Sequence, residues 1–219
     1  MEKCADAVAA FFATVYAGGF YSVLNTELPQ NRLQTTVSVL NPKVIVTSES
    51  LLETAKEYFS ERKIVTFEDL AKSEPDYAKL GEIRNHKIDT DPLYINFTSG
   101  STGTPKGIVV CHRSVIDFID HFTEIFGIDN NDVIANQAPF DFDVSVKDIY
   151  SAVKTGATLV VVPRRMFSAP AELIDFICDR RITVMIWAVS ALCLISTFHA
   201  LDYRTPETVN KILFSGEVM

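Results

Sequence analysis

Short β-branched runs alternate with longer stretches of helical spacing along most of this chain, a pattern that suits stacked βα units and little else. The runs are KVIVT at 43–47, KIVT at 63–66, YINF from Tyr94, GIVVC from Gly107, then DVIANQ, ATLVVV, ITVMIW and KILFSG, with a further strand expected over 20–24. Helices are expected between them: 29–40, 51–59, a helix capped by Ser114 and running to Phe126, one after Asp143, 170–180 and 190–199. The pattern predicts an α/β protein with mainly parallel sheets flanked by helices. The charged stretch 68–91 reads as an exposed connection, which divides the chain into a partial first βα subdomain, 1–90, and a second βα subdomain, 91–219.

Composition bounds what such a fold could serve. With 47% hydrophobic residues in 219, the chain can bury a proper core. Its 20 Lys and Arg against 28 Asp and Glu leave a net charge of -8, and no basic patch gathers along the sequence, so nucleic acid is an unfavourable partner. Cys4, Cys111, Cys178 and Cys193 stand singly in apolar surroundings, which predicts reduced, mostly buried thiols in a cytoplasmic protein. Lys3 precedes an apolar stretch at 7–17, but Asp6 interrupts its start and it is too short to span a bilayer. A buried helix ending at Gly18 and Gly19 is expected there instead. His86, His112, His121 and His199 share no metal-binding spacing, so surface or capping roles are expected for each.

One segment departs from this regularity. TSGSTGTPKG, at 98–107, places three glycines, five hydroxyls and a lysine directly after the strand YINF. Glycine lets backbone amides converge, hydroxyls add donors, and Lys106 supplies a compact positive charge, a combination that suits phosphate oxygens. The Walker A pattern fails in two places: Pro105 stands at the second glycine, and Gly107 replaces the hydroxyl that would hold magnesium. The segment that follows is also a strand, not a phosphate-capping helix. A mobile surface turn is the commoner explanation for an arbitrary glycine-rich loop. The concentration of donors between two strands makes it the weaker one here.

YINFTSGSTGTPKG resembles the signature of the adenylate-forming superfamily, which includes acyl-CoA synthetases, luciferases and the adenylation domains of nonribosomal peptide synthetases. The resemblance implies a loop that embraces ATP phosphates while a carboxylate attacks the α-phosphate, giving an acyl-adenylate and pyrophosphate. Carried over, it assigns nucleotide binding to Thr98, Ser99, Gly100, Ser101, Thr102, Gly103 and Thr104, with Lys106 as the catalytic cation. Gly216 and Glu217, in the SGEV that ends the last expected strand, join the nucleotide site on the same ground.

Two aspartates lie among phenylalanines in NQAPFDFDVSVKDIY, 136–150. A carboxylate in apolar surroundings is costly unless it meets a cation, although either Asp141 or Asp143 could simply cap the following helix. F-D-x-S is similar to the motif of amino-acid-activating members, whose aspartate binds the substrate ammonium. The resemblance gives that role to Asp143 and leaves Asp141 as a cap or surface carboxylate. NQAPF, FDVSV with DIY, and SGEV are closest to the D-alanine ligases, which load the amino acid onto a phosphopantetheinyl carrier protein. The resemblance implies that Lys147, one helical turn after Asp143, stands at a usually apolar position lining the acyl pocket; a lysine there would pair with that aspartate or meet an acidic substrate, unless it simply bends to solvent. Ser215 stands where D-alanine ligases carry cysteine, and Val189 replaces the proline of T-P-S.

The implied activity is therefore ATP-dependent formation of an aminoacyl-adenylate from a small, D-alanine-like amino acid, with Mg2+ whose ligands fall beyond Met219. The resemblance covers the whole chain but less than half of a family member. Neither Y-G-P-T-E, the ribose aspartate nor the lid lysine occurs before Met219, so part of a large N-terminal domain, inactive alone, is expected. Two other classes compete: an acyl-CoA synthetase, against which Asp143 argues, and a non-catalytic nucleotide-binding module, against which the loop and Lys106 argue.

Overall fold

A computed structural model describes residues 1–98 and 105–215. The chain gathers into two compact units, Met1–Ser114 and Val115–Met219.

The first unit opens with α1 (Ala5–Tyr16), which ends where Gly18 takes φ +83°. The amides of Gly18 and Gly19 return to the carbonyls of Val15 and Thr14, a Schellman closure that only a residue free of Cβ strain completes cheaply. The expectation of a buried helix is corrected here: of its residues only Ala7 is fully buried. Next come α2 (Gln30–Leu40), β1 (Ile45–Thr47), a 3-10 turn (Glu49–Leu51) leading into α3 (Leu52–Tyr58), and β2 (Ile64–Thr66), which pairs in parallel with β1. Stretch 68–91, expected as a bare connection, contains α5 (Tyr77–His86) and most of the short α4 (Phe67–Leu70). Thr66 and Asp76 cap these helices through their side chains, which lets them form with no fully buried residue of their own.

Strands β3 (Pro92–Thr98) and β4 (Lys106–Cys111) then form an antiparallel hairpin. The strand expected over 20–24 reduces to one bridge, in which Tyr21 exchanges backbone hydrogen bonds with Leu93 and Ile95 beside Tyr94. That bridge attaches the hairpin to the first unit. The compact units accordingly divide at Ser114, whereas the charge pattern places the boundary at residue 90. Helix α6 (His112–Ile125) carries the chain across this division. Ser114 lies inside it instead of capping it, because the amides of His112 and Arg113 are already taken by the carbonyls of Asp91 and Asp89.

The second unit is a four-stranded parallel sheet in the order β6-β5-β7-β8, with β5 at Val133–Asn136, β6 at Thr158–Val161, β7 at Val184–Ile186 and β8 at Lys211–Leu213. Helices α7 (Ser145–Thr155), α8 (Pro170–Asp179), α9 (Val189–Thr197) and α10 (Ala200–Tyr203) make the connections. Pro170 starts α8, its ring fixing the first helical φ. Alternate strand residues serve opposite faces. Ala135 and Met185 pack with Leu173, Ile174, Ile177 and Leu192, while Ile134, Val184 and Ile186 pack with Phe122 and Ala152. Both faces are therefore covered, as a parallel sheet requires. The cysteines are free, but Cys4, Cys111 and Cys178 are only half-buried and Cys193 is exposed, so burial of the thiols was over-expected. Apolar neighbours in sequence do not guarantee an inward face on a helix.

Candidate active site

The hairpin presents one end of the proposed nucleotide loop. Thr98 closes β3, Lys106 opens β4, the two are cross-strand partners, and both are exposed. Gly107 faces Phe97, and a Cβ there would lie 3.0 Å from Ile95 Cγ2 and 3.3 Å from Phe97 Cζ, so the strands approach this closely only around glycine. Ser99, Gly100, Ser101, Thr102, Gly103 and Thr104 lie outside the described residues, as do Gly216 and Glu217.

Because its strands are parallel and in register, the second unit collects its other candidates at one edge. Ile134 is level with Val184, and Ile186 with Leu213, so the segments leaving β5, β7 and β8 emerge at the same carboxyl edge. β5 delivers 137–144, β7 delivers Trp187 and Ala188, and β8 delivers Ser215. Two bonds brace the β5 and β7 exits: Trp187 Nε1 donates to the Ala135 carbonyl at 2.9 Å, and the Ala188 amide donates to Gln137 Oε1 at 3.3 Å.

Asp143 sits on this edge, exposed, just before α7. It does not cap the helix: Val144 occupies that position, and no side-chain cap bond forms. Nor does it pair with Lys147. The amide of Val146 bonds to the Asp143 carbonyl, and that of Lys147 to the Val144 carbonyl, so the chain turns with three-residue bonds here and Lys147 is not set above Asp143. Lys147 Nζ instead lies 6.0 Å from the centroid of the Phe122 ring on α6. Ser215 is exposed beyond β8.

The sequence reading overlooked a buried polar pair at the base of this edge. Asn136, the last residue of β5, and Asp148, on α7, are both 0% exposed, and Asn136 Nδ2 donates to Asp148 Oδ2 at 2.7 Å. The available signal was an aspartate on the same helical face as Val146, Ile149 and Ala152, where a solvated charge does not belong. A cleft of about 570 Å3 in the first unit, bordered by Gly18, Glu82, His86, Lys87 and Asp91, contains none of the expected residues. Among the described residues no cluster of three or more His, Cys, Asp or Glu side chains could hold a metal ion, and no helix is long and apolar enough to cross a membrane.

The family model described as AMP-binding enzyme matches residues 1–219. The chain belongs to the AMP-binding enzyme family. Among curated relatives of this AMP-binding family member, the D-alanine--D-alanyl carrier protein ligase of Staphylococcus aureus (strain MRSA252) is 28% identical over 214 residues, covering 97% of this chain and 42% of that protein. The chain thus spans less than half the length of the curated relatives it matches. Among solved structures, the nonribosomal peptide synthetase FmoA3 in its alpha-methyl-L-serine-AMP bound form superposes with a TM-score of 0.84 at 22% identity, over 99% of this chain and 24% of that one. VinN with L-aspartate gives a TM-score of 0.79 at 18% identity, over 99% and 55%. These superpositions establish the AMP-binding fold, the α/β architecture of adenylate-forming N-terminal domains.

Proposed function

We propose that the intact protein activates a small, D-alanine-like amino acid with ATP and passes it to the thiol of a phosphopantetheinyl carrier protein. The observation that carries this reading is Asp143: an exposed carboxylate at the carboxyl edge of a parallel sheet, committed neither to capping α7 nor to an ion pair with Lys147. Such a carboxylate suits a substrate ammonium. The substrate carboxylate oxygen attacks the α-phosphorus, the bond to the bridging oxygen of pyrophosphate breaks, and the acyl-adenylate forms; the carrier thiolate then attacks the acyl carbon and AMP leaves. Negative charge develops on the departing pyrophosphate, and in this reading the Lys106 ammonium, at the start of β4, neutralises it. Thr98 and the loop residues 99–104, with Gly216 and Glu217, complete the nucleotide site in this reading. In this reading Mg2+ accompanies ATP, with ligands outside the described residues. The similarity to the D-alanine--D-alanyl carrier protein ligase supports both the substrate class and the carrier partner. A requirement for ATP supports a cytoplasmic location in this reading.

The test is pyrophosphate exchange in the intact protein. Asp143→Ala is expected to abolish amino-acid-dependent exchange while ATP still binds; exchange at the wild-type rate would remove Asp143 from the site. Exchange with fatty acids instead of amino acids would favour the acyl-CoA synthetase alternative.

Lys147 favours a second reading of the substrate, because among the described residues it makes no ion pair and stands one turn into the helix that follows Asp143. A cation there suits an acidic side chain, and VinN, of the same fold, is known in complex with L-aspartate. Under this reading, Lys147→Leu raises the KM for aspartate about ten-fold or more while leaving that for alanine nearly unchanged. A parallel loss for both amino acids would exclude it.

A further inference from the structure

Asn136 and Asp148 carry an inference about how the amino-acid site is held; it rests on the amino-acid-activating function proposed above. Both side chains are fully buried, and an amide or carboxyl group so placed is costly unless bonded. Their 2.7 Å bond joins the last residue of β5 to the first turn of α7. Apolar contacts are non-directional, whereas a buried polar bond is satisfied in one arrangement.

The start of α7 needs such a tie. Val144 offers no side-chain cap, and both the amide and the hydroxyl of Ser145 bond to the Phe142 carbonyl, at 3.1 and 2.7 Å. Those bonds are local to the turn and travel with it. The Asn136–Asp148 bond connects the turn to the sheet. Successive helical residues point about 100° apart, so directing Asp148 at β5 turns Lys147 aside, to where its Nζ approaches Phe122. Asp143 lies five residues before Asp148, in the turn that leads into α7, so it moves with the start of the helix.

We propose that Asn136 and Asp148 form a positioning pair that sets the roll and height of α7 against β5 and so aims Asp143 at the substrate ammonium. Neither residue touches substrate; both act through Asp143. The pair therefore governs amino-acid binding and is expected to leave the nucleotide residues Thr98 and Lys106, which belong to the first unit, unaffected.

The experiment measures KM for amino acid and for ATP separately, by pyrophosphate exchange in the intact protein. Asn136→Asp sets two carboxylates against each other and is expected to raise the amino-acid KM about ten-fold with the ATP KM changed less than about two-fold. Asp148→Ala should do the same, and Asp148→Asn, which keeps an acceptor for the Asn136 amide, should stay near wild type. The exchanged pair Asn136→Asp with Asp148→Asn restores a donor opposite a carboxylate and should recover the amino-acid KM, even where the single variants fold poorly. Equal changes in both KM values, or an exchanged pair that folds yet binds amino acid no better than Asn136→Asp, would overturn the pair's role while leaving the proposed activity standing. Wild-type protein without amino-acid-dependent exchange would overturn both.

Discussion

Asp132 shows how much one buried carboxylate can organise. It is 4% exposed at the amino end of β5, receives Lys211 Nζ at 2.9 and 3.0 Å, the Thr183 hydroxyl at 2.7 Å and the Asp129 amide at 3.0 Å. Burial pushes its carboxyl up, but the Asp129 amide, Thr183 and Lys211 together outweigh that and hold it below the usual aspartate range. A carboxyl depressed in the folded state binds fewer protons than in the unfolded chain, so its stabilisation is complete above the ordinary value of about 4 and is lost as pH falls below it. Asp132→Asn is therefore expected to lower stability at pH 7 by about 2 kcal/mol, and urea denaturation should show the difference from wild type shrinking as pH drops below about 4. A difference independent of pH would mean that these contacts do not favour the ionised carboxylate. The contact joins positions 132, 183 and 211, and no local pattern announces it.

At the scale of elements, the β3–β4 hairpin depends on Gly107 as much as on its hydrogen bonds. A valine there meets Ile95 and Phe97 at distances real Cβ atoms seldom adopt, and overpacking of this kind costs about 1–3 kcal/mol. Gly107→Val should lower the thermal midpoint and weaken ATP binding, since Lys106 is the adjacent residue; unchanged ATP affinity would separate the strand start from the nucleotide site. Elements with strong periodicity matched expectation well: α2, α3, α8, α9 and the strands β5, β6 and β7 lie within two residues of where the pattern puts them. The failures share a cause. Residues 20–24 are β-branched and aromatic enough to suggest a strand, but a strand exists only where a partner pairs with it, and only Tyr21 finds one. The charged stretch 68–91 lacks an apolar stripe, and α5 forms in it through its Asp76 cap.

Across the molecule, buried apolar side chains concentrate in the second unit, where two clusters cover both faces of the sheet, while the first unit buries few. Trp187, the sole tryptophan, is 1% exposed and belongs to the second unit's core. Its fluorescence consequently reports that unit alone, and far-ultraviolet circular dichroism reports both. In urea, circular dichroism should begin to change at a lower concentration than Trp187 emission, because the thinner core gives way first. Coincident transitions would show that the units unfold together.

The α/β class, the alternation of strands and helices in the second unit, and membership in a family recognised by TSGSTGTPKG were determined by the sequence alone, because hydrophobic period and a contiguous motif are local properties of a chain. The attachment of the hairpin to the first unit, the edge that collects Asp143, Ala188 and Ser215, the separation of Lys147 from Asp143, and the Asn136–Asp148 and Asp132–Lys211 pairs were decided only by the tertiary structure. The carboxyl edge and the two buried pairs depend on which strands become neighbours, which follows from burying both faces of one sheet, and the hairpin's attachment and the turn before α7 depend on backbone bonds that only the folded chain makes; none of these is expressed in a short stretch of sequence.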